Sequence, residues 1–354
     1  MPVLDPTADA ADLTRAICDV PSVSGDEALL ADAIEAAART APHLEVQRHG
    51  DAVVARTHLG RATRVVIAGH IDTVPINGNV PTRLEGDEIV GRGTVDMKAG
   101  VAVQLRLAVE IAEPVPDVTW IWYDHEEVSD DLNGLNRLLR ERPDLLEADF
   151  AILGEPTAAG IEGGCNGNLR AEIRTFGRRA HAARGWAGVN AIHLAAPILD
   201  VLAAYEPRQV EVDGLVYREQ LNAVGISGGV AGNVIPDECM VHVNHRFAPS
   251  RSAEEAVAHI RELFEGYDVR IVDLAQGARP GLDVPVARAF VDAVGAEPRP
   301  KFGWTDVARF AALGVPAVNY GPGDPMLAHA DDERVPIAQI HAVEAGLRAW
   351  LTGA

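Results

Sequence analysis

Val66-Ile67-Ala68-Gly69-His70-Ile71-Asp72-Thr73-Val74-Pro75 is the stretch on which the fold turns. Its apolar, β-branched first half predicts a buried strand over residues 64–69. The two-residue period of an extended chain then puts His70 and Asp72 on one side, just past the strand end. A histidine beside a carboxylate is a common way to orient a metal ligand, because the acid fixes the side of the ring that the ion does not use. Taken alone, H-x-D is more often a polar turn after a core strand. The segments around it change that reading.

Working outward, the apolar pattern gives helices over 9–20 and 28–39, with Ser24 or Asp26 placed to cap the second. Short strands follow at 44–47 and 52–57, and a hairpin at 84–90 leads into Gly91-Arg92-Gly93-Thr94-Val95-Asp96-Met97-Lys98-Ala99-Gly100. That glycine spacing is not a dinucleotide fingerprint. A strongly apolar helix over 99–113 comes next. The strand at 117–123 runs into Asp124-His125-Glu126-Glu127, followed by a helix to about residue 140. The strand at 149–153 runs into Gly154-Glu155-Pro156-Thr157. Strands alternating with helices imply an α/β fold with a largely parallel sheet, in which ligand sites collect at the carboxyl ends of the strands.

From residue 169 the texture changes. A strand at 169–176, a helix at 190–205, strands at 221–228 and 239–246, a helix at 252–265 and a strand at 269–272 follow the β-α-β-β-α-β order of a ferredoxin-like α+β sandwich. Long helices and a strand at 317–320 then resume the first pattern. The expected organisation is a catalytic domain from residues 1–168 and 282–354, with residues 169–281 inserted as a lid and dimerisation domain.

Composition narrows the function. The 354 residues carry 31 Lys+Arg against 52 Asp+Glu, a formal charge of −21. That opposes a nucleic-acid surface. No apolar run reaches membrane-span length, and residues 1–12 show no leader pattern, so a cytoplasmic protein without a membrane partner is expected. Cys18, Cys165 and Cys239 are far apart and form no metal-binding pair, which fits buried, reduced thiols. Any metal must be held by histidine and carboxylate.

His70, Asp96, Glu127, Glu155 and His329 are the candidates. Each sits at a strand end or in a Gly/Pro-containing loop. Five groups exceed what one open catalytic zinc takes, and suit two divalent ions sharing a carboxylate. Glu126, beside a proposed ligand, has the chemistry of a general base. An acidic pair capping a helix would read the same way, and the sequence alone does not show that these ends converge.

Together the segments resemble the M20-type metallopeptidases and deacylases. Gly69 to Pro75 is similar to their first motif and Gly91 to Gly100 to their second. Asp124 to Glu127, Gly154 to Thr157 and Ala328-His329 complete the series, in order, over nearly the whole chain. The resemblance implies Asp96 as the bridging ligand of two Zn(II) ions, with Co(II) able to substitute. His70 and Glu155 would complete one site, and Glu127 and His329 the other. Asp72 would stand behind His70 and Glu126 would be the base. His181 would cross a homodimer interface to stabilise the oxyanion, and Asn233 would reach the neighbouring subunit's site.

Arg246 and Arg178 look like carboxylate clamps, since guanidinium matches a carboxylate at two points. Arg184, Thr305 and Gly323 join them as substrate-binding candidates. The segments 177–193, 304–310 and 318–324 are similar to family members that hydrolyse N-succinyl-LL-2,6-diaminopimelate to succinate and LL-2,6-diaminopimelate. The partner expected is therefore a small acylated diamino acid. Acetylornithine deacetylases, other N-acyl-amino-acid hydrolases and dipeptidases share the metal motifs, and a non-catalytic metal-holding binder would share them without needing Glu126. One departure is Ala330-Asp331-Asp332-Glu333, more acidic than the family pattern.

Overall fold

The strand Arg64–His70, with Val65, Val66 and Ile67 at its core and six of its seven residues buried, lies at the centre of a sheet in the computed structural model, which describes residues 2–353. The principal strands of that sheet are β1 (Glu45–His49), β2 (Ala52–Arg56), β3 (Arg64–His70), β4 (Asp117–Tyr123), β5 (Phe150–Leu153) and β6 (Ala317–Asn319). They run in the order β1-β2-β4-β3-β5-β6. β4, β3, β5 and β6 are mutually parallel, and β1 and β2 add an antiparallel edge. All seven residues of β4 are buried, as expected of a strand covered on both faces.

The helix Lys98–Glu110 buries ten of its 13 residues. Two glycines let it sit close to β5: a Cβ on Gly100 would lie 2.4 Å from the Gly154 carbonyl oxygen. The second motif is therefore pressed against the strand that ends next to Glu155. Its glycine is a packing requirement.

The chain divides into two compact units, one of residues 1–163, 280–299 and 309–354, the other of residues 164–279 and 300–308. Sequence placed the insertion at 169–281. The second unit also takes in residues 164–168 and 300–308, because Cys165 pairs with Ala278 and the Asn166 backbone N–H donates to the Lys301 carbonyl, while residues 280–281 belong to the first unit. Its sheet is antiparallel, in the order Gln220–Gly228, Glu238–Phe247, Gly167–Phe176, Asp268–Ala275. Leu169, Ile173, Val241, Val243, Ala256 and Ile260 form its core.

Two local expectations fail for identifiable reasons. The helix expected straight after Glu127 begins only at Gly134, capped by Asn133. The intervening residues are held in a loop by contacts with distant residues. The helix over 190–205 is two pieces, Ala191–Leu194 and Ala196–Ala203, divided just ahead of Pro197. The structure adds a hairpin, Gln209–Val212 with Leu215–Arg218, turned by Asp213-Gly214, a strong hairpin-turn signal in which both residues adopt positive φ.

In the second unit His245 is wholly buried, beside His259, Glu219 and Arg251. Its Nδ1 lies 3.0 Å from the Gln220 carbonyl oxygen. Burial holds its pKa down to about 4. An unfolded histidine titrates near ~6.5, so between these values the unfolded chain holds a proton that the folded chain refuses. Stability should fall as pH drops through that window, by up to about 3 kcal/mol at its acid end. Urea midpoints at pH 7 and pH 5 test this: His245→Asn should flatten the difference, and an unchanged slope would assign it to other groups.

Candidate active site

Because β3, β4 and β5 are parallel, their carboxyl ends share one edge of the sheet. β3 ends on His70, β4 leads into Asp124-His125-Glu126-Glu127, and β5 leads through Gly154 to the buried Glu155. The loop ahead of the helix Lys98–Glu110 supplies Asp96, and the segment after β6 supplies His329. Asp96 spans two histidines: Oδ1 lies 3.0 Å from His70 Nε2 and Oδ2 lies 3.3 Å from His329 Nε2. His329 Nε2 is also 3.0 Å from Glu127 Oε1. Donor atoms of His70, Asp96 and Glu127 all fall within 4.8 Å of one another.

Asp72 organises this edge. It is wholly buried, and its oxygens accept the Glu126 and Glu127 backbone N–H groups, each at 3.0 Å. Ser24 Oγ donates to it at 2.7 Å, so this serine braces Asp72 and does not cap the helix Ala28–Ala38, whose N-cap makes no side-chain bond. Ser24 was not among the expected site residues. Nothing local in the sequence marks a partner 48 residues away. His70 Nδ1 lies 3.1 Å from the Asp72 carbonyl oxygen and 3.4 Å from its Oδ1.

The two sides of the His70 ring test whether a cation fits. With the Nδ1 proton donated to the Asp72 carbonyl, His70 Nε2 presents a lone pair to the Asp96 carboxylate. Two acceptors do not approach at 3.0 Å without a positive charge between or on them. Two ligands each about 2.1 Å from a tetrahedral ion would stand roughly 3.4 Å apart, so the donor set suits a divalent metal.

The electrostatics agree. Burial alone would lower the His70 pKa, but the carboxylates of Asp72 and Asp96 raise it well above the ordinary value. Hydrogen bonds to Asp96 and Glu127 hold His329 up to about 10. Burial opposes ionisation of Asp72, yet His70 and the two backbone amides bring it down to about 2. Asp96 is likewise held well below the carboxylate range by His329 and His70, against its burial. The edge is built to concentrate negative charge opposite a cation.

Gly323 is in the same unit, with its N–H donated to Gln339 Oε1 at 2.9 Å. A Cβ there would meet Val95 at 3.0 Å, so this glycine supports the loop of Asp96. The other expected substrate residues belong to the second unit. His181 is exposed on a short ladder, Ala180–His181 with Val234–Ile235, and its Nδ1 accepts the Ala183 N–H. The Asn233 carbonyl accepts the Ala182 N–H at 2.9 Å, which puts Asn233 on the same ladder. Arg178 Nε donates to the Ala187 carbonyl at 3.1 Å, and Arg184 is exposed a few residues away. Arg246 is half-buried on the strand Glu238–Phe247, and Thr305 is buried in segment 300–308.

A parallel sheet that gathers two histidines and several carboxylates at its carboxyl edge defines an α/β metallohydrolase class. Within it, the chain belongs to peptidase family M20/M25/M40, whose model matches residues 66–352. The chain is 49% identical over 362 residues to the Corynebacterium glutamicum protein named succinyl-diaminopimelate desuccinylase, covering 99% of this chain and 98% of the relative. It is 54% identical over 354 residues to a Mycobacterium tuberculosis protein provisionally given the same name, covering 99% and 100%. The crystal structure of a tripeptidase from Staphylococcus aureus superposes with a TM-score of 0.80 at 20% identity, covering 99% of this chain and 98% of that one. That likeness shows the fold. The chain is a hydrolase of amide bonds.

Proposed function

We propose that this enzyme hydrolyses N-succinyl-LL-2,6-diaminopimelate to succinate and LL-2,6-diaminopimelate, in the cytoplasm, with two divalent ions, zinc in the first instance. The 49% identity over almost the full length of the Corynebacterium desuccinylase carries this reading. The site supports it. Asp96 faces a different histidine with each oxygen, as a shared ligand would. His70 and Glu155 would hold one ion, and Glu127 and His329 the other. Three buried free thiols, with no disulfide among the described residues, suit a reducing compartment.

The ions, when bound, would lower the pKa of water and polarise the amide carbonyl. The protein's own groups do the rest. Glu126 takes the proton of the attacking water and returns it to the departing amine. Asp72 fixes the backbone of Glu126 and Glu127 while orienting His70. His181 donates to the oxyanion of the tetrahedral intermediate. The test is a panel of N-succinyl and N-acetyl diamino acids assayed after chelation and Zn(II) add-back. The succinyl-diaminopimelate reading expects the highest kcat/KM on that compound and no turnover without metal. A marked preference for N-acetylornithine would overturn the substrate while leaving the amide chemistry.

The same reading makes the protein a homodimer through its second unit. There the edge strand Gln220–Gly228 leaves Val224 63% and Ile226 53% exposed, and an open apolar edge is a template for pairing with another copy. His181 and Asn233 would then serve the partner's site. Mixing His181→Ala with Glu126→Gln subunits should regain part of the lost activity through one intact hybrid site. Hybrid dimers that form but stay inactive would place His181 in cis or outside catalysis.

A further inference from the structure

One member of the acidic run after His329 turns inward. Asp331 and Asp332 are exposed, but Glu333 is 1% exposed. Its Oε1 accepts the backbone N–H of Val95 at 2.8 Å and of Asp96 at 3.1 Å. Its Oε2 accepts from Arg92 at 2.8 Å, and Arg92 is itself 3% exposed. The same guanidinium donates to the Ala330 carbonyl, and the Glu333 carbonyl accepts the Gly91 N–H. Five bonds thus join residues 91–96 to residues 330–333. Asp96 lies at one end of this clamp and His329 at the other, with 3.3 Å between Asp96 Oδ2 and His329 Nε2.

A buried ion pair is by itself weak evidence for stability, since desolvation offsets its Coulomb gain. This one does something more specific. Two successive amides aimed at one carboxylate oxygen fix where the Asp96 backbone sits, and the carboxylate belongs to the turn that carries His329. We propose that Glu333, anchored by Arg92, is a positioning residue: it sets the separation of Asp96 and His329 and so the affinity of the site for its second ion. The inference rests on the reading that Asp96 and His329 are metal ligands.

Glu333→Asp and Glu333→Gln separate position from charge. Aspartate keeps the charge for Arg92 but is shorter by one methylene, so it cannot reach both amides and the guanidinium. Glutamine keeps the acceptor at the same reach but leaves Arg92 uncompensated. Titrating metal-free protein with Zn(II) by calorimetry, the wild type should take up two ions. Glu333→Asp should weaken the second by roughly ten- to hundredfold, the usual effect of losing a partner that orients a ligand. Glu333→Gln, which keeps the acceptor for the two amides but loses the Arg92 pair, should lower the urea midpoint of the metal-free protein and weaken the second ion by less than Glu333→Asp does. Arg92→Lys, which loosens the anchor without removing the acid, should also weaken the second ion, and provides the test if Glu333→Asp does not fold.

Wild-type affinity for the second ion in Glu333→Asp, or in a folded Arg92→Lys, would overturn the inference. Equal losses in Glu333→Asp and Glu333→Gln would overturn it too, because charge and not reach would then matter. Fewer than two ions in the wild type would instead sink the two-ion reading beneath it, which shows before any variant is compared.

Discussion

Glu126→Gln should abolish most turnover while leaving the metal content of the protein unchanged. A positioned general base contributes on the order of 10²–10⁴ in rate, and an amide of the same shape cannot accept the proton. The backbone that presents residue 126 does not depend on its side chain, because its N–H is held by Asp72 Oδ1 at 3.0 Å. Glu127, the neighbouring candidate ligand, is held in the same way by Asp72 Oδ2. The variant should therefore fold, load metal and bind substrate with KM little changed, and the loss should fall on kcat. Metal analysis beside steady-state kinetics checks both halves. Near-normal kcat would remove Glu126 as the base, and lost metal would make it a ligand.

The candidate edge was legible because parallel strands place their ends together, and the residues at or just past the ends of β3, β4 and β5 are the chemically unusual ones: His70, Glu126, Glu127 and Glu155. What was not legible are the groups that hold those residues in place. Ser24 bonds to Asp72 across 48 residues, and Glu333 bonds to Val95 across 238. No periodicity or turn signal reports contacts of that range. In the linear sequence Glu333 is one more acid after two others, and only burial distinguishes it. The loop between Glu127 and Gly134 misleads for the same reason. Asp72 claims the amides of Glu126 and Glu127, and His125 takes a left-handed conformation. The Asp213-Gly214 hairpin is different, since its turn signal is local and readable from the sequence.

Arg246→Ala should depress kcat/KM for succinyl-diaminopimelate far more than for a small neutral acyl amide. A protein of net charge −21 repels an anionic substrate at long range, so affinity for one must come from local cations. Arg246 fits that need in its own unit. It is half-buried, its pKa lowered first by burial and then by neighbouring Arg170, and among the described residues no carboxylate lies within ion-pair distance of it. Its Nε contact is to the neutral Asn244 Oδ1 at 3.3 Å. Asp273, the acid that acts on it from further away, is occupied by Asn168 at 2.8 Å and Arg170 at 3.5 Å. A partly desolvated guanidinium left without a counter-ion is costly unless an outside anion supplies one. Removing one partner of such a pair costs ~2–5 kcal/mol, or about thirtyfold to several-thousandfold in binding. A neutral acyl amide never made the pair and should lose little. Equal losses on the two substrates would assign Arg246 to folding or to general catalysis. A loss confined to the succinylated one would make it a residue that reads a substrate carboxylate.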